Sequence, residues 1–409
     1  MSTISKTWFK SISLGKIRSF DSKQTISFTD KNGAPAQWNI ILGDNGTGKT
    51  TVLKGLCFAT GAFWSDTEAV ILRRTYESIS IKCILATGNE EKSISQTIEF
   101  NDMRYGTFVK YANYHAREEA GESFALFGYG AARGINQAVV SEQVSPVLSI
   151  FREDAPLSNA EQWLLEAELS YNKDSNQTGY YLLVRNALQK LFREEVQSIK
   201  TQQRRYAVNV YFQTAYGEVR LNDLSLGYRT LIAWMVDFAR GLFDRYPDST
   251  NPLAEPAVCL VDEIDLHLHP RFQRYIIEFL TETFPNTQFI VTAHSPLIVQ
   301  AAEGANIILL KRVGNETVVE NDKINVHDWR IDQILSSDLF GGIGGRAPQI
   351  EDKMTRRREL LKKDDLTAEE IHELDNLEEE LSELPASESR EALKALDLII
   401  KATSNLQKK

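Results

Sequence analysis

Apolar and polar positions near the start of the chain alternate with the period of two that a half-buried strand requires. Such runs at 12–20 and 25–28, a polar Asp30-Lys31-Asn32-Gly33 turn and an apolar run at 38–42 predict a short antiparallel pair feeding a core strand. Residues 50–58 switch to helix-compatible spacing. Runs at 70–72, 79–85 and 93–100 are expected to be further strands, the last two forming a hairpin around Thr87-Gly88-Asn89. Together they make an antiparallel N-terminal layer. Helical patterns follow at 159–171 and 180–198, then a second hairpin at 208–212 and 218–221 and an amphipathic helix at 228–242. An apolar strand at 257–261, a helix over 270–284 and a strand at 288–292 alternate as in a parallel sheet with crossover helices.

This pattern divides the 409 residues into an N-terminal lobe (1–100), a helical insert (101–205), a second lobe (206–345) and a C-terminal extension (346–409). The fold class is α/β with a mixed sheet. In the extension, Thr367 and Glu370 make a capping box beside a Leu366/Ile371 hydrophobic staple. Ile371, Leu374, Leu377, Leu381 and Leu384 then recur at three- and four-residue spacing until Pro385, which predicts a charged helical hairpin with one apolar seam. Such a hairpin is either a solvated pair packed on its own domain or a docking element. Residues 351–409 carry 11 basic and 16 acidic side chains, half of the chain's formal net charge of -10. That balance argues against a protein that coats nucleic acid with its whole surface. Cys57, Cys83 and Cys259 are widely spaced and form no CxxC pair, so neither a disulfide framework nor a zinc cluster is expected. No apolar run reaches about 18 residues and no apolar h-region follows Met1, so the expectation is a cytoplasmic protein without membrane span or signal peptide.

The candidate chemistry starts at residues 43–50, Gly43-Asp-Asn45-Gly46-Thr47-Gly48-Lys49-Thr50, with Thr51 next. They satisfy the phosphate-loop pattern G-x-x-x-x-G-K-[ST] between an apolar strand and a helix, the context the motif requires. Its glycines let backbone N–H groups converge on phosphate oxygens, the helix N-terminus adds partial positive charge, Lys49 reaches the β/γ oxygens, and the Thr50 hydroxyl is a Mg²⁺ ligand. A second anchor is Val258-Cys-Leu-Val-Asp262-Glu263, four apolar residues with an acidic pair at the C-terminal edge, where open α/β sheets bind ligands. Asp262 is placed for the Mg²⁺ shell and Glu263 to polarise the attacking water.

Leu224-Ser225-Leu226-Gly227-Tyr228, just ahead of a helix, resembles the LSGGQ signature of ABC-type ATPases, with Leu226 and Tyr228 replacing the first glycine and the glutamine. An S-x-G before a helix is also an ordinary N-cap. Thr292-Ala-His294-Ser295-Pro296 sets His294 where ABC-type ATPases keep a switch histidine. Phosphate loop, signature, Asp-Glu strand and histidine in this order resemble the ABC-type class of P-loop NTPases. Ile17-Arg18-Ser19-Phe20 and the Asp262-to-Pro270 run Asp-Glu-Ile-Asp-Leu-His-Leu-His-Pro are similar to its RecF/SMC/OLD branch, and most to the compact AAA-labelled ATPases of bacterial Septu and retron phage-defence systems. The resemblance covers about residues 8–345.

This resemblance implies ATP and Mg²⁺ as ligands, and a homodimer or higher homo-oligomer in which Ser225 and Gly227 act in trans on ATP held at Lys49 and Thr50. It places Glu263, His294 and Lys49 in the catalytic set. Arg133, in a Gly-Tyr-Gly-Ala-Ala-Arg loop, is left between a phosphate contact and a surface cation. The space from Thr50 to Leu224 holds none of the long coiled-coil arms of SMC relatives, and no Asp-x-Asp cluster of an OLD-type nuclease follows Arg346. The expected function is therefore an ATP-driven antiviral switch controlling a separate effector, such as a nuclease encoded nearby. The alternative is a RecF/SMC-like ATPase acting directly on DNA, with DNA or RNA contacts at Arg204-Arg205 or Arg356-Arg357-Arg358. A transporter subunit is disfavoured by the Leu-His-Leu-His-Pro continuation and the large insert.

Overall fold

In the computed structural model the described residues are 6–72, 78–103, 106–111, 113, 115–121, 124–133, 145–173, 179–192, 195–204, 207–321, 326–344, 346–363 and 365–382. An N-terminal antiparallel sheet orders its strands β2-β1-β4-β5-β6, from β1 (Thr7–Gly15), β2 (Gln24–Ser27), β4 (Ser78–Thr87), β5 (Glu90–Met103) and β6 (Gly106–Tyr111). A six-stranded core sheet runs β14-β13-β3-β12-β11-β7, from β3 (Trp38–Gly43), β7 (Leu126–Tyr129), β11 (Ala257–Val261), β12 (Thr287–Thr292), β13 (Asn306–Val313) and β14 (Glu316–Glu320). Its pairs are parallel except β13–β14. A three-stranded antiparallel sheet joins β8 (Val196–Arg204), β9 (Ala207–Thr214) and β10 (Gly217–Arg220) in the order β10-β9-β8.

Helix α1 (Lys49–Ala59) packs in a core shared by the two larger sheets. Its Val52, Leu53, Leu56 and Cys57 belong to one buried cluster with Ile12, Leu14, Ile81 and Ile98 of the antiparallel layer and Ile41, Leu260, Ile290 and Ile308 of the core sheet. At roughly 1.5–3 kcal/mol per fully buried aliphatic side chain, this cluster is the main cohesion between the layers. Close approach needs Gly55, where a Cβ would lie 2.9 Å from Leu14 Cδ2. The buried Gln288 amide acts as a strand edge between the sheets, accepting from Phe9 N at 2.7 Å and donating to Phe9 O at 2.8 Å. This satisfies a polar group that would otherwise be costly to bury.

Several expectations change. Residues 70–72 are the end of a helix, α2 (Asp66–Leu72), not a strand: Asp66 and Glu68 occupy its first turn, where carboxylates favour the helix dipole. The helical pattern at 180–198 covers only α6 (Gly179–Leu191) and then enters β8, whose pairing with β9 overrides it. The helix expected over 270–284 is two pieces, α8 (Pro270–Gln273) and α9 (Ile276–Thr283). Residues 101–205 are not one helical block. They hold α3 (Ala116–Ala120), α4 (Leu148–Phe151), α5 (Ala160–Lys173) and α6, but also β6, β7 and β8, one in each sheet. The antiparallel layer, the hairpin turn at Gly88 and the strands at 257–261 and 287–292 form as expected.

Helix α7 (Leu226–Arg245) lies against the core through a buried face, and α10 (Pro296–Ala301) and α11 (Ile331–Leu335) complete the first compact unit and begin the second. The second unit spans Leu335–Lys409, beginning before the boundary expected at 346. It contains the expected hairpin, α12 (Pro348–Leu361) and α13 (Ala368–Ser382). The Thr367–Glu370 capping box forms in both directions, at 3.1 and 3.3 Å. Pairs Arg356–Glu373, Arg357–Glu378, Lys353–Glu380 and Lys363–Glu370 join the two helices or their connection. Two members of the proposed basic cluster are thus bonded to carboxylates. Ile371 is 49% exposed, so the seam is open at its start. Leu384, Pro385, Gly134 and Arg205 lie outside the described residues.

Candidate nucleotide-binding site

Three parallel strands of the core sheet end together. β12 lies between β3 and β11, so Thr292 at its tip stands between the glycine loop after β3 and the acidic pair after β11. The loop geometry requires glycine at three positions. Gly43, Gly46 and Gly48 have φ of 146°, 82° and 95°. A Cβ on Gly43 would fall 2.5 Å from Leu310 O, and one on Gly48 2.6 Å from Ser19 Oγ. Thr47 Oγ1 donates to Asp44 O at 2.8 Å, and Thr47 O accepts from Thr317 Oγ1 at 2.9 Å and Ser19 Oγ at 3.2 Å. The loop is therefore fixed by its own turn and by β14 and the segment after β1. Asn45 is exposed at its tip, and Thr51 is buried in the first turn of α1.

Lys49 opens α1 and folds across the loop, its Nζ donating to Gly43 O at 2.7 Å and Asp44 O at 3.1 Å. Burial lowers the pKa of its ammonium, against the opposing pull of Asp262, Glu263, Asp44 and Asp265. One residue on, Thr50 Oγ1 donates to Asp262 Oδ2 at 2.7 Å. Asp262 Oδ1 accepts from Thr292 Oγ1 at 2.6 Å, and that hydroxyl accepts from Glu263 N at 2.7 Å. A continuous chain of hydrogen bonds thus links Thr50, Asp262, Thr292 and the Glu263 backbone. Glu263 itself has a left-handed φ of 50°.

The Thr50 hydroxyl and Asp262 carboxylate are hard oxygen donors on one spot, the set that suits Mg²⁺ held mainly by substrate phosphates and water. Among the described residues no group of three or more His, Cys, Asp or Glu could hold a metal by itself. The three cysteines are buried, and burial pushes the Cys83 thiol up to about 12, as an apolar role requires.

The other expected residues occupy different surroundings. His294 is exposed just past β12; its backbone N–H donates to Asp265 Oδ2 at 3.0 Å. Ser225 is the exposed N-cap residue of α7 and makes no side-chain cap bond. Gly227 has a packing role in its own chain, because a Cβ there would lie 2.2 Å from His267 O. Tyr228, where the signature would have glutamine, donates its hydroxyl to Glu195 and stacks edge-on with Phe192 and Phe272. Arg133 is no surface cation: it is 5% exposed and its Nη2 donates to Glu263 O at 2.8 Å. Burial lowers its pKa to about 10, against Asp262, Glu263 and Asp265. Sequence reasoning missed Thr292 and Asp265. The signal for Thr292 was a hydroxyl residue closing the apolar run Phe289-Ile-Val291 of a parallel strand.

A family model described as "AAA domain, putative AbiEii toxin, Type IV TA system" matches residues 39–300, which include the loop, the acidic pair and His294. The Septu protein PtuA of Bacillus mycoides (strain KBAB4) is 28% identical over 367 residues, 87% of this chain and 48% of the relative. The retron Vc95 probable ATPase of Vibrio cholerae serotype O1 biovar El Tor is 30% identical over 181 residues, 44% of this chain and 35% of the relative. The chain thus spans about half the length, or less, of these curated relatives. Among solved structures, the SMC head domain from Thermotoga maritima aligns with a TM-score of 0.45 and 15% identity, covering 77% of this chain and 99% of that one.

Proposed function

The chain belongs to the AAA-domain family matched over residues 39–300, and from that premise we propose that it is an ATP-hydrolysing switch of a phage-defence complex. The observation that carries this reading is the hydrogen-bonded chain Thr50–Asp262–Thr292–Glu263 set against the glycine loop. Gly43, Asn45, Gly46, Thr47, Gly48 and Thr51 shape the phosphate cradle, and Lys49 neutralises the β/γ oxygens. Thr50 and Asp262 would hold Mg²⁺, which would neutralise charge on the transferred phosphoryl group. Glu263 orients water for in-line attack. The water oxygen bonds to Pγ, the bond from Pγ to the β–γ bridging oxygen breaks, and the water's proton passes to the Glu263 carboxylate. His294, exposed just past β12, is assigned the role of reporting the γ-phosphate.

The exposed Ser225 and Leu226 at the N-terminus of α7 support a second copy of the chain as the partner that meets this helix end, with Ser225 and Gly227 acting in trans. The resemblance to Septu and retron ATPases supports a separate effector, such as a nuclease, as the listener, and a cytoplasmic location; among the described residues no helix is long and apolar enough to cross a membrane. Direct action on DNA has less support, since Arg356 and Arg357 are engaged by Glu373 and Glu378.

Glu263→Gln tests the assignment. It is expected to bind ATP as tightly as the parent while slowing turnover by about 100-fold or more, as loss of a positioned base does. Equal turnover in the two proteins would remove Glu263 from the chemistry. Salt-sensitive duplex binding by the isolated chain would shift the reading to the DNA-acting alternative.

A further inference from the structure

Arg133 lies too deep for a surface cation, and its one hydrogen bond among the described residues is to protein rather than outward. Strand β7 explains how it gets there. Its register with β11 sets Tyr129 beside Val261, and Asp262 N donates to Tyr129 O at 2.8 Å, so both strands leave the sheet side by side. The turn that follows is tightly seated: a Cβ on Gly130 would lie 2.0 Å from Ser149 O. Four residues beyond Tyr129 the Arg133 guanidinium reaches the carbonyl of Glu263, with Nε and Nη1 buried and without a hydrogen-bond partner among the described residues.

Glu263 needs such a clasp. A non-glycine residue at a φ of 50° is strained and persists only where neighbours over-determine it. Its N–H is fixed on Thr292 Oγ1 at 2.7 Å, and its C=O accepts from Leu266 N within the following turn at 3.0 Å and from Arg133 Nη2 at 2.8 Å, the one side chain that grips it. Desolvating a guanidinium is costly, and the nearby carboxylates of Asp262, Glu263 and Asp265 offset part of that cost. We propose that Arg133 is a positioning residue: by gripping the Glu263 carbonyl it holds the strained backbone that aims the Glu263 carboxylate at the attacking water. The inference rests on the hydrolytic role proposed for Glu263. Arg133 touches no reacting atom in this account, and it acts on turnover rather than on nucleotide affinity.

The test uses the full chain with Arg133→Met, which removes every donor, and Arg133→Lys, which keeps one cationic donor. ATP affinity, kcat and KM are measured with and without Glu263→Gln, alongside amide hydrogen exchange at residues 262–267. Arg133→Met is expected to lower kcat about tenfold or more with KM changed less than about threefold, and to speed exchange at 262–267 but not at 43–50. Arg133→Lys is expected to recover part of the rate, and it carries the same readouts if the Met variant does not fold. In the Glu263→Gln background, Arg133→Met should cost no further turnover. A tenfold loss of ATP affinity at unchanged kcat would instead make Arg133 a phosphate contact and overturn the proposal. So would unchanged exchange at 262–267, a readout that holds even if the parent protein hydrolyses no ATP, in which case it is the role of Glu263 that fails.

Discussion

Thr292 has a single hydroxyl that serves two carboxylate residues at once, donating to Asp262 Oδ1 and accepting from the Glu263 N–H. Replacing it by the isosteric valine leaves both partners unsatisfied in a buried setting, at roughly 1–3 kcal/mol for each. Thr292→Val is therefore expected to lower Tm by several degrees and to slow ATP turnover more than tenfold, whereas Thr292→Ser should retain most of both; calorimetry and a phosphate-release assay read the difference. Equal behaviour of the valine and parent proteins would dismiss the bridge. Gly48→Ala makes a different kind of demand. A φ of 95° strains any side chain, and a Cβ only 2.6 Å from Ser19 Oγ and 2.8 Å from the buried Phe20 Cε2 forces those side chains to shift. The expected outcome is a folded chain with ATP affinity reduced by at least about tenfold in a titration with a fluorescent ATP analogue, because the loop amides are displaced. The glycine spacing was legible in the sequence; the close packing of Gly227 on His267 O was not, since nothing local says which backbone a helix start will meet.

Among elements, the hairpin of α12 and α13 is the one whose sequence spoke most directly, because capping box and charge spacing are local signals. Its buried Leu360 and Leu361 are flanked by partly exposed ion pairs. Hydrogen bonds from Lys363, and then the Thr367 N–H, hold the Glu370 carboxyl below the ordinary range, and the bonded Arg356 does the same for Glu373. Groups with depressed pKa contribute stability that is present above the unfolded value and lost as pH falls. The hairpin should therefore loosen from about pH 4.3 downward, and 1 M salt should weaken it at neutral pH. Pepsin cleavage within 346–382 that stays constant between pH 5 and 3 would contradict this. By contrast β7 and β8 were hidden. β7 is four residues whose partner β11 lies about 130 positions away, and β8 reads as the continuation of α6 until its pairing with β9 is known. Residues 70–72 misled for the reason that three apolar residues carry no period.

At the scale of the molecule, one unit carries the whole candidate site and the second carries the acidic hairpin. Removing 346–409 is accordingly expected to leave ATP turnover within about twofold while abolishing co-purification of the effector from the native host; survival of both would end the docking role of the hairpin. Glu263→Gln with ATP is expected to sediment as a dimer, and Ser225→Arg to return it to monomer, if the two nucleotide sites close across copies. The sequence by itself determined the phosphate loop, the acidic strand end, the order of the motifs and the hairpin, since each depends on neighbours within a few residues or on apolar periodicity. Only the tertiary structure decided that Thr292 joins loop to acid, that Arg133 is buried behind Glu263 and that residues 101–205 feed three sheets. Those facts follow from strand order and long-range packing, where a residue's partner is fixed by the burial of distant surfaces rather than by anything written beside it.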